Sequence, residues 1–322
     1  MILIADSGST KTDWAWIENG SIVHRATTAG INPVHQTEED IEKVVLQLFP
    51  SKEEGERSKE IIFNFDYVDF CHDSAKHAST MALAAPKIQF SIINFYGSGC
   101  IPEKKGGVEK VLKKVFPEAE KIEVENDLLG AARAVCQHQE GLACILGTGS
   151  NSCYYDGTKI VENIPPLGYI LGDEGSGAVL GKLFLNALFK GSLPVSMKED
   201  FLQKSGLTYP EIIQRVYREP MANRFLASTS IYIYEHLDVP ALRELVKDNF
   251  RAFFRKNIAK YQHPDLSIGA IGSIAYHYRE LLQEVATEEG YTLSKVAKSP
   301  LEGLVAFHGA TPSPSKRRGI AE

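Results

Sequence analysis

The chain has 322 residues, 43% of them hydrophobic, and a formal net charge of -6. That length exceeds what one core usually serves, since single domains mostly stop near roughly 150 residues, so two lobes are expected. An acidic balance with no clustered Lys/Arg surplus excludes a binder of the phosphate backbone, so no nucleic-acid partner is expected.

No apolar run reaches the roughly 18 residues of a membrane span, and Met1–Thr10 lacks a basic leader, which reads as a cytoplasmic protein without membrane contact. The five cysteines, Cys71, Cys100, Cys136, Cys144 and Cys153, are scattered and read as reduced thiols filling cores.

At the N-terminus the apolar run Met1–Ala5 passes through Asp6-Ser7-Gly8-Ser9-Thr10-Lys11 into Thr12–Ile17, which alternates polar and apolar residues and closes on Asn19-Gly20. A helix is predicted over Glu38–Phe49 and a polar loop over 50–60. Strand Ser91–Cys100 follows, then an amphipathic helix Val108–Phe116, strand Ile122–Glu125 and helix Leu128–Gln137. The opening pattern then recurs: Ala143–Leu146, the bend Gly147-Thr148-Gly149-Ser150-Asn151, Ser152–Tyr155 and the turn Asp156-Gly157. Two copies point to two related lobes. Beyond them lie a glycine-rich segment Gly168–Gly177, a helix through Phe189, further helices to Tyr261, strand Leu266–Ile271 and helix Ser273–Glu284. Strands alternating with helices give an α/β class. The end, 309–322, has no periodicity and reads as disordered.

Several segments carry candidate chemistry. In the first bend, glycine and hydroxyl residues expose backbone N–H groups suited to phosphate oxygens, with Lys11 as a cationic donor and Asp6 placed to hold Mg2+. An ordinary hairpin turn is the alternative. The second bend repeats this chemistry without a carboxylate. Asp127, in Glu125-Asn126-Asp127, sits where a strand enters a helix; an N-terminal cap and a base that accepts a hydroxyl proton are both readings, and both hold together if Asn126 caps and Asp127 reaches the cleft. Asp173 and Glu174 either favour a helix N-terminus or join a ligand-facing loop with Gly168. Gly272-Ser273 forms a strand-to-helix turn fit for close packing or for sliding beneath a purine. Three features are decoys. Gly175–Leu183 lacks the Gly and Ser/Thr of a Walker A loop. Trp14 and Trp16 share one strand face and read as core or as a cleft wall, and His72 and His77 are not at metal spacing.

Taken in order, Asp6–Thr12, Asn126–Ala132, Gly147–Asn151 and Gly172–Ser176 resemble the BadF/BadG/BcrA/BcrD ATPase family and, within it, the N-acetylglucosamine kinases, over residues 1 to 308. The resemblance implies two ribonuclease H-like lobes of the actin-like ATPase and sugar-kinase fold around a central nucleotide cleft. The lobes would be 1–118 and 119–294, with a C-terminal helix 295–308 packing back on the first. It implies ATP and Mg2+ as cofactors, with Asp6 serving the metal. Ser7, Gly8, Ser9, Thr10 and Lys11, then Gly147, Thr148, Gly149, Ser150 and Asn151, would hold phosphates, and Gly272 and Ser273 would face the adenosine. Asp127 would be the catalytic base, and Asn32, Gly168 and Asp173 would line a sugar site with it. The acceptor would be an amino sugar, N-acetylglucosamine or glucosamine at O6. A homodimer is compatible with this reading. Two departures stand out: Ser7 and Ser9 replace glycine of the kinase relatives, and Pro165-Pro166-Leu167 precedes Gly168 where relatives are rich in glycine and tryptophan. Two other functions remain open: an ATP-driven activator of a 2-hydroxyacyl-CoA dehydratase, which needs cluster thiolates, and a non-catalytic ATP switch for a protein partner.

Overall fold

The structure, a computed structural model, describes residues 1–8, 10–49 and 89–309. Ser9, the loop at 50–60, Cys71, His72, His77 and the tail 310–322 lie outside the described residues. The chain divides into two compact units, one of residues 1–18 and 23–124, the other of residues 19–22 and 125 onward.

The first unit is built on a five-stranded sheet of β1 (Ile2–Ser7), β2 (Lys11–Glu18), β3 (Ser21–Ala29), β4 (Ile92–Gly97) and β5 (Lys121–Asn126), in the order β3-β2-β1-β4-β5. β1 runs antiparallel to β2 and parallel to β4. The alternation in β2 sends Trp14 and Trp16 into the core, 0% and 3% exposed, where they meet Phe90 and Phe95 beneath helices α1 (Glu38–Leu46) and α2 (Lys105–Val115). The indole N–H of Trp14 donates to Thr28 Oγ1 at 2.9 Å, so burial of this polar group is compensated. Thr37 and Asp40 cap α1 reciprocally.

The second unit opens with α3 (Asp127–Cys136), which follows β5 without a loop. Its sheet contains β6 (Glu140–Leu146), β7 (Ser150–Asp156), β8 (Ile160–Glu162), β9 (Ile268–Ile271) and β10 (Leu293–Ala297), ordered β10-β9-β6-β7-β8. Counted from the first strand of each sheet, both read third, second, first, fourth, fifth, with the first antiparallel to the second and parallel to the fourth. The repeated hairpin of the sequence is therefore part of a repeated sheet. Helices α4 (Gly168–Leu171), α5 (Gly177–Phe189), α6 (Val195–Ser205), α7 (Tyr209–Tyr217), α8 (Ala222–Ser228), α9 (Ser230–Glu235) and α10 (Pro240–Lys256) lie between β8 and β9. Their apolar faces share a core with Leu142, Cys144 and Leu146 of β6. Among the described residues no helix is long and apolar enough to cross a membrane.

Three sequence expectations need correction. The first sheet keeps the chain through Val124, because β5 pairs with β4, so the division falls later than residue 118. The helix expected over Ser273–Glu284 is two, α11 (Ser273–His277) and α12 (Arg279–Glu288), broken at Tyr278, whose buried ring and hydroxyl, bonded to the Ser230 carbonyl at 2.5 Å, take the chain off the helical path. No single helix covers 295–308. Leu293–Ala297 is an edge strand parallel to β9, and α13 (Leu301–Gly309) starts only after Pro300, which disfavours helical backbone in the residue before it. α13 groups with the second unit, where Gly303 lies against the backbone of Ala134.

Candidate active site

The first hairpin turns between Ser7 and Thr12, which face each other across β1 and β2, with the Gly8 N–H donating to the Lys11 carbonyl at 3.0 Å. Ser7 is fully buried. Its hydroxyl donates to the Ile31 carbonyl at 3.0 Å and accepts the Ile31 N–H at 2.9 Å, so its side chain ties the bend to the segment carrying Asn32. The Gly30 N–H donates to the Thr10 carbonyl at 3.0 Å, which strengthens the same link. Ser7 thus has a structural task that the sequence reading assigned to phosphate contact. Thr10 is exposed, and Lys11, also exposed, pairs with Asp13 at 2.8 Å.

Asp13 lies opposite Asp6 in the hairpin, and residues paired this way share a sheet face, so two carboxylates flank the bend where the sequence reading named one. Asp13 also accepts from Thr27 Oγ1 at 2.9 Å. Strand alternation through Lys11 and Asp13 was the available signal. Mg2+ usually takes one or two carboxylates, water and phosphate oxygens, and this donor set fits that ion.

Asn32 sits at the start of a turn where its Oδ1 accepts the Val34 N–H at 3.0 Å. Gly99, with φ +77°, lies so close that any side chain there would strike Asn32 Oδ1. Among the described residues no acceptor meets Asn32 Nδ2, which leaves a held amide donor beside the first bend.

At the junction of β5 and α3 the cap is the residue expected. Asn126 is the cap, its Oδ1 accepting the Leu129 N–H at 2.7 Å, and Asp127 occupies the first helical position. Burial pushes the Asp127 carboxyl above its usual pKa, and the N–H groups of Leu128 and of Asp127 itself oppose this without reversing it. A carboxylate moved in that direction is a stronger proton acceptor.

The second hairpin turns between Leu146 and Ser150. The Gly147 N–H donates to the Gly149 carbonyl at 2.9 Å, closing the bend on itself. The first N–H groups of α5 are occupied, Gly177 donating to the Gly147 carbonyl at 2.8 Å and Ala178 to the Thr148 carbonyl at 3.1 Å. The helix end therefore braces the bend. The N–H groups of Thr148 and Gly149 find no acceptor among the described residues, and successive free N–H groups in a tight bend form an anion-binding concavity.

Asp173 comes to this bend and not to a helix end, since Ser176 caps α5 by accepting the Val179 N–H at 3.1 Å. Its carboxylate takes the Ser150 N–H and would meet a Cβ on Gly149 at 3.1 Å; burial raises its pKa, opposed by that N–H. Glu174 points elsewhere, pairing with Lys256 at 2.9 Å. Gly272, φ +120°, lies under the base of the bend, where a side chain would strike the Leu146 carbonyl, and Ser273 beside it is half-buried. The structure thus gathers Gly147–Asn151, Asp173 and Gly272 in the second unit, and Gly8, Thr10, Lys11, Asp6 and Asn32 in the first. Gly168 is apart, exposed at the start of α4 with open space around it.

No protein-family model matches the chain, and no curated protein matches it. Among solved structures it is similar to a candidate N-acetylglucosamine kinase from Porphyromonas gingivalis, with 44% identity, a TM-score of 0.81, and coverage of 96% of this chain and 99% of that one. A candidate N-acetylglucosamine kinase from Chromobacterium violaceum is 17% identical, with a TM-score of 0.66 over 95% of this chain and 98% of the other. A ROK family glucokinase from Streptomyces griseus, solved with glucose and AMPPNP, is 15% identical, with a TM-score of 0.50 over 95% and 97%. At those identities the last two show the fold alone. Fold and phosphate-type hairpins together define an ATP-dependent carbohydrate kinase of the two-lobed, actin-like class. Within that class, the chain belongs to the family of the Porphyromonas gingivalis protein.

Proposed function

We propose that this kinase moves the γ-phosphate of ATP to a hydroxyl of an amino sugar, O6 of N-acetylglucosamine or of glucosamine, in the cytoplasm, and that its wider family is BadF/BadG/BcrA/BcrD. The observation that carries the reading is Asp127: its neighbour Asn126 does the capping, which leaves a half-buried, proton-seeking carboxylate at the head of α3. The 44% identity to a candidate N-acetylglucosamine kinase supports the choice of sugar.

In this mechanism Asp127 accepts the proton of the sugar hydroxyl as its oxygen attacks phosphorus. Asn32 Nδ2 and Asp173 orient the sugar, with Gly168 at its margin. The N–H groups of Thr148 and Gly149, with Ser150 and Asn151, hold phosphate oxygens, and Gly8, Thr10 and Lys11 hold others. Gly272 and Ser273 give the adenosine a surface without bulk. Asp6 would hold Mg2+, which supplies positive charge to the phosphate oxygens when bound.

The dehydratase-activator alternative needs thiolates, and here burial pushes Cys136 up to about 11 and Cys153 up to about 12, with Cys144 raised further still. A coupled ADP-release screen with Mg-ATP against N-acetyl sugars, amino sugars and neutral hexoses tests the assignment. ADP release that depends on N-acetylglucosamine or glucosamine is expected, and release indifferent to sugar contradicts it. Asp127→Asn should lower kcat by about 10² to 10⁴ while Mg-AMPPNP still binds; an undiminished kcat removes Asp127 from the mechanism.

A further inference from the structure

Gly30–Asn32 leads from the end of β3 into the turn before α1 and belongs to no strand or helix, so no ladder supplies its backbone hydrogen bonds. Its six backbone N–H and C=O groups are nonetheless all bonded. The Gly30 N–H donates to the Thr10 carbonyl at 3.0 Å, and the Asn32 carbonyl accepts the N–H groups of His35 at 3.0 Å and Gln36 at 3.1 Å. Two side chains serve the other four groups. Ser7 Oγ takes both groups of Ile31. Gln36 takes one group from each neighbour of Ile31: its Oε1 accepts the Asn32 N–H at 2.7 Å, and its Nε2 donates to the Gly30 carbonyl at 3.0 Å. A backbone N–H only donates and a carbonyl only accepts, so these two bonds also fix which end of the Gln36 amide is which.

We propose that Gln36 is a positioning residue: by clamping the backbone on both sides of Ile31 it holds the Asn32 amide where Nδ2 donates to a hydroxyl oxygen of the acceptor sugar. The inference rests on the kinase reading above and extends it to a side chain that touches no substrate. Once its backbone is set, the Asn32 amide has little freedom of its own. Its Oδ1 accepts the Val34 N–H at 3.0 Å, and the amide lies against Gly99, where a Cβ would collide with it. A shift of the backbone at Asn32 is therefore passed on to Nδ2, and displacements well below 1 Å already weaken a hydrogen bond. Thr37, the next residue along, has a different task. It caps α1 by accepting the Asp40 N–H at 3.2 Å, and among the described residues it bonds neither Gly30 nor Asn32. The two neighbours thus separate placement of Asn32 from simple stability of the turn.

Gln36→Glu keeps an acceptor for the Asn32 N–H and sets its second carboxylate oxygen against the Gly30 carbonyl, whereas Gln36→Met keeps the length and removes both bonds. The test is a pair of titrations on the full chain. One measures Kd for Mg-AMPPNP without sugar; the other measures Kd, with Mg-AMPPNP present, for whichever of N-acetylglucosamine and glucosamine drives ADP release. Both Gln36 variants are expected to weaken the sugar by about five- to thirtyfold, with the nucleotide within twofold of wild type. Asn32→Ala combined with Gln36→Met should bind sugar within twofold of Asn32→Ala alone, since no amide is left to place. Thr37→Ala should lower the melting temperature through its lost cap and bind sugar as wild type does. Unchanged sugar affinity in both Gln36 variants, an equal loss of nucleotide affinity, additivity in the double variant, or an equal sugar loss in Thr37→Ala overturns the proposal while leaving the kinase reading intact. Wild-type protein whose ADP release is indifferent to every sugar overturns both.

Discussion

Burial raises the Asp127 pKa above its ordinary carboxylate value, and the N–H groups of Leu128 and Asp127 pull it only part of the way back. The direction fixes both a pH profile and a stability effect. Because the base must be ionised to accept a proton, the acidic limb of kcat/KM should lie above the ordinary value of 3.8. Because the folded protein holds this proton to higher pH than the unfolded chain does, the contribution of Asp127 to stability is complete below the unfolded pKa and is lost as pH rises through the folded one. Asp127→Asn should therefore melt above wild type near neutral pH, with the difference shrinking as the solution is acidified. A variant that melts at or below wild type at neutral pH contradicts the burial argument, whatever its activity. Asp127 was legible as a candidate because a carboxylate at a strand-to-helix step is a local pattern. Asp13 was not, since its place beside Asp6 arises from cross-strand register, which a single stretch of sequence does not display.

At the level of elements, the hairpins and the long helices were readable from alternation and from turn residues, and each strand missed lies at a sheet edge, although the edge strand β5 was readable. β3 is mostly exposed along its length and β10 has no fully buried residue, so neither carries the apolar pattern that marks a strand. The false Walker A run has a packing explanation. Gly181 of α5 lies against the Leu226 carbonyl at the end of α8, where a Cβ would collide with backbone. Gly181→Ala should force the two helices apart and lower stability by about 1 to 3 kcal/mol, read in urea unfolding. Gly106, in α2, has nothing within 4 Å of a Cβ position, and Gly106→Ala should raise stability by about 0.5 to 1 kcal/mol through helix propensity and chain entropy. Equal effects at the two glycines would mean that the close approach of α5 and α8 is not what constrains position 181.

Across the whole chain, one strand order occurs in both sheets, and in each the bend after the first strand carries the proposed phosphate contacts. Recurrence of the hairpin revealed the two units; their division was less legible, because β5 is short and polar and leads straight into α3, leaving no linker composition to mark an end. A repeat of this kind makes a specific demand on ligand binding. If one Mg-nucleotide is gripped by both bends, its binding energy must appear in both units, not only in the unit that carries Thr148 and Gly149. Mass action gives about 2.7 kcal/mol of added stability at a nucleotide concentration one hundred times Kd, and the melting temperature should keep rising with the logarithm of concentration. Hydrogen exchange with and without Mg-AMPPNP locates that energy. Slowed exchange is expected in peptides spanning Gly8–Lys11 and in peptides spanning Thr148–Asn151, at the same nucleotide concentration. Protection in the second bend alone would leave the first as an ordinary turn, and Asp6 and Lys11 would then lose their assigned roles while Asp127 kept its own.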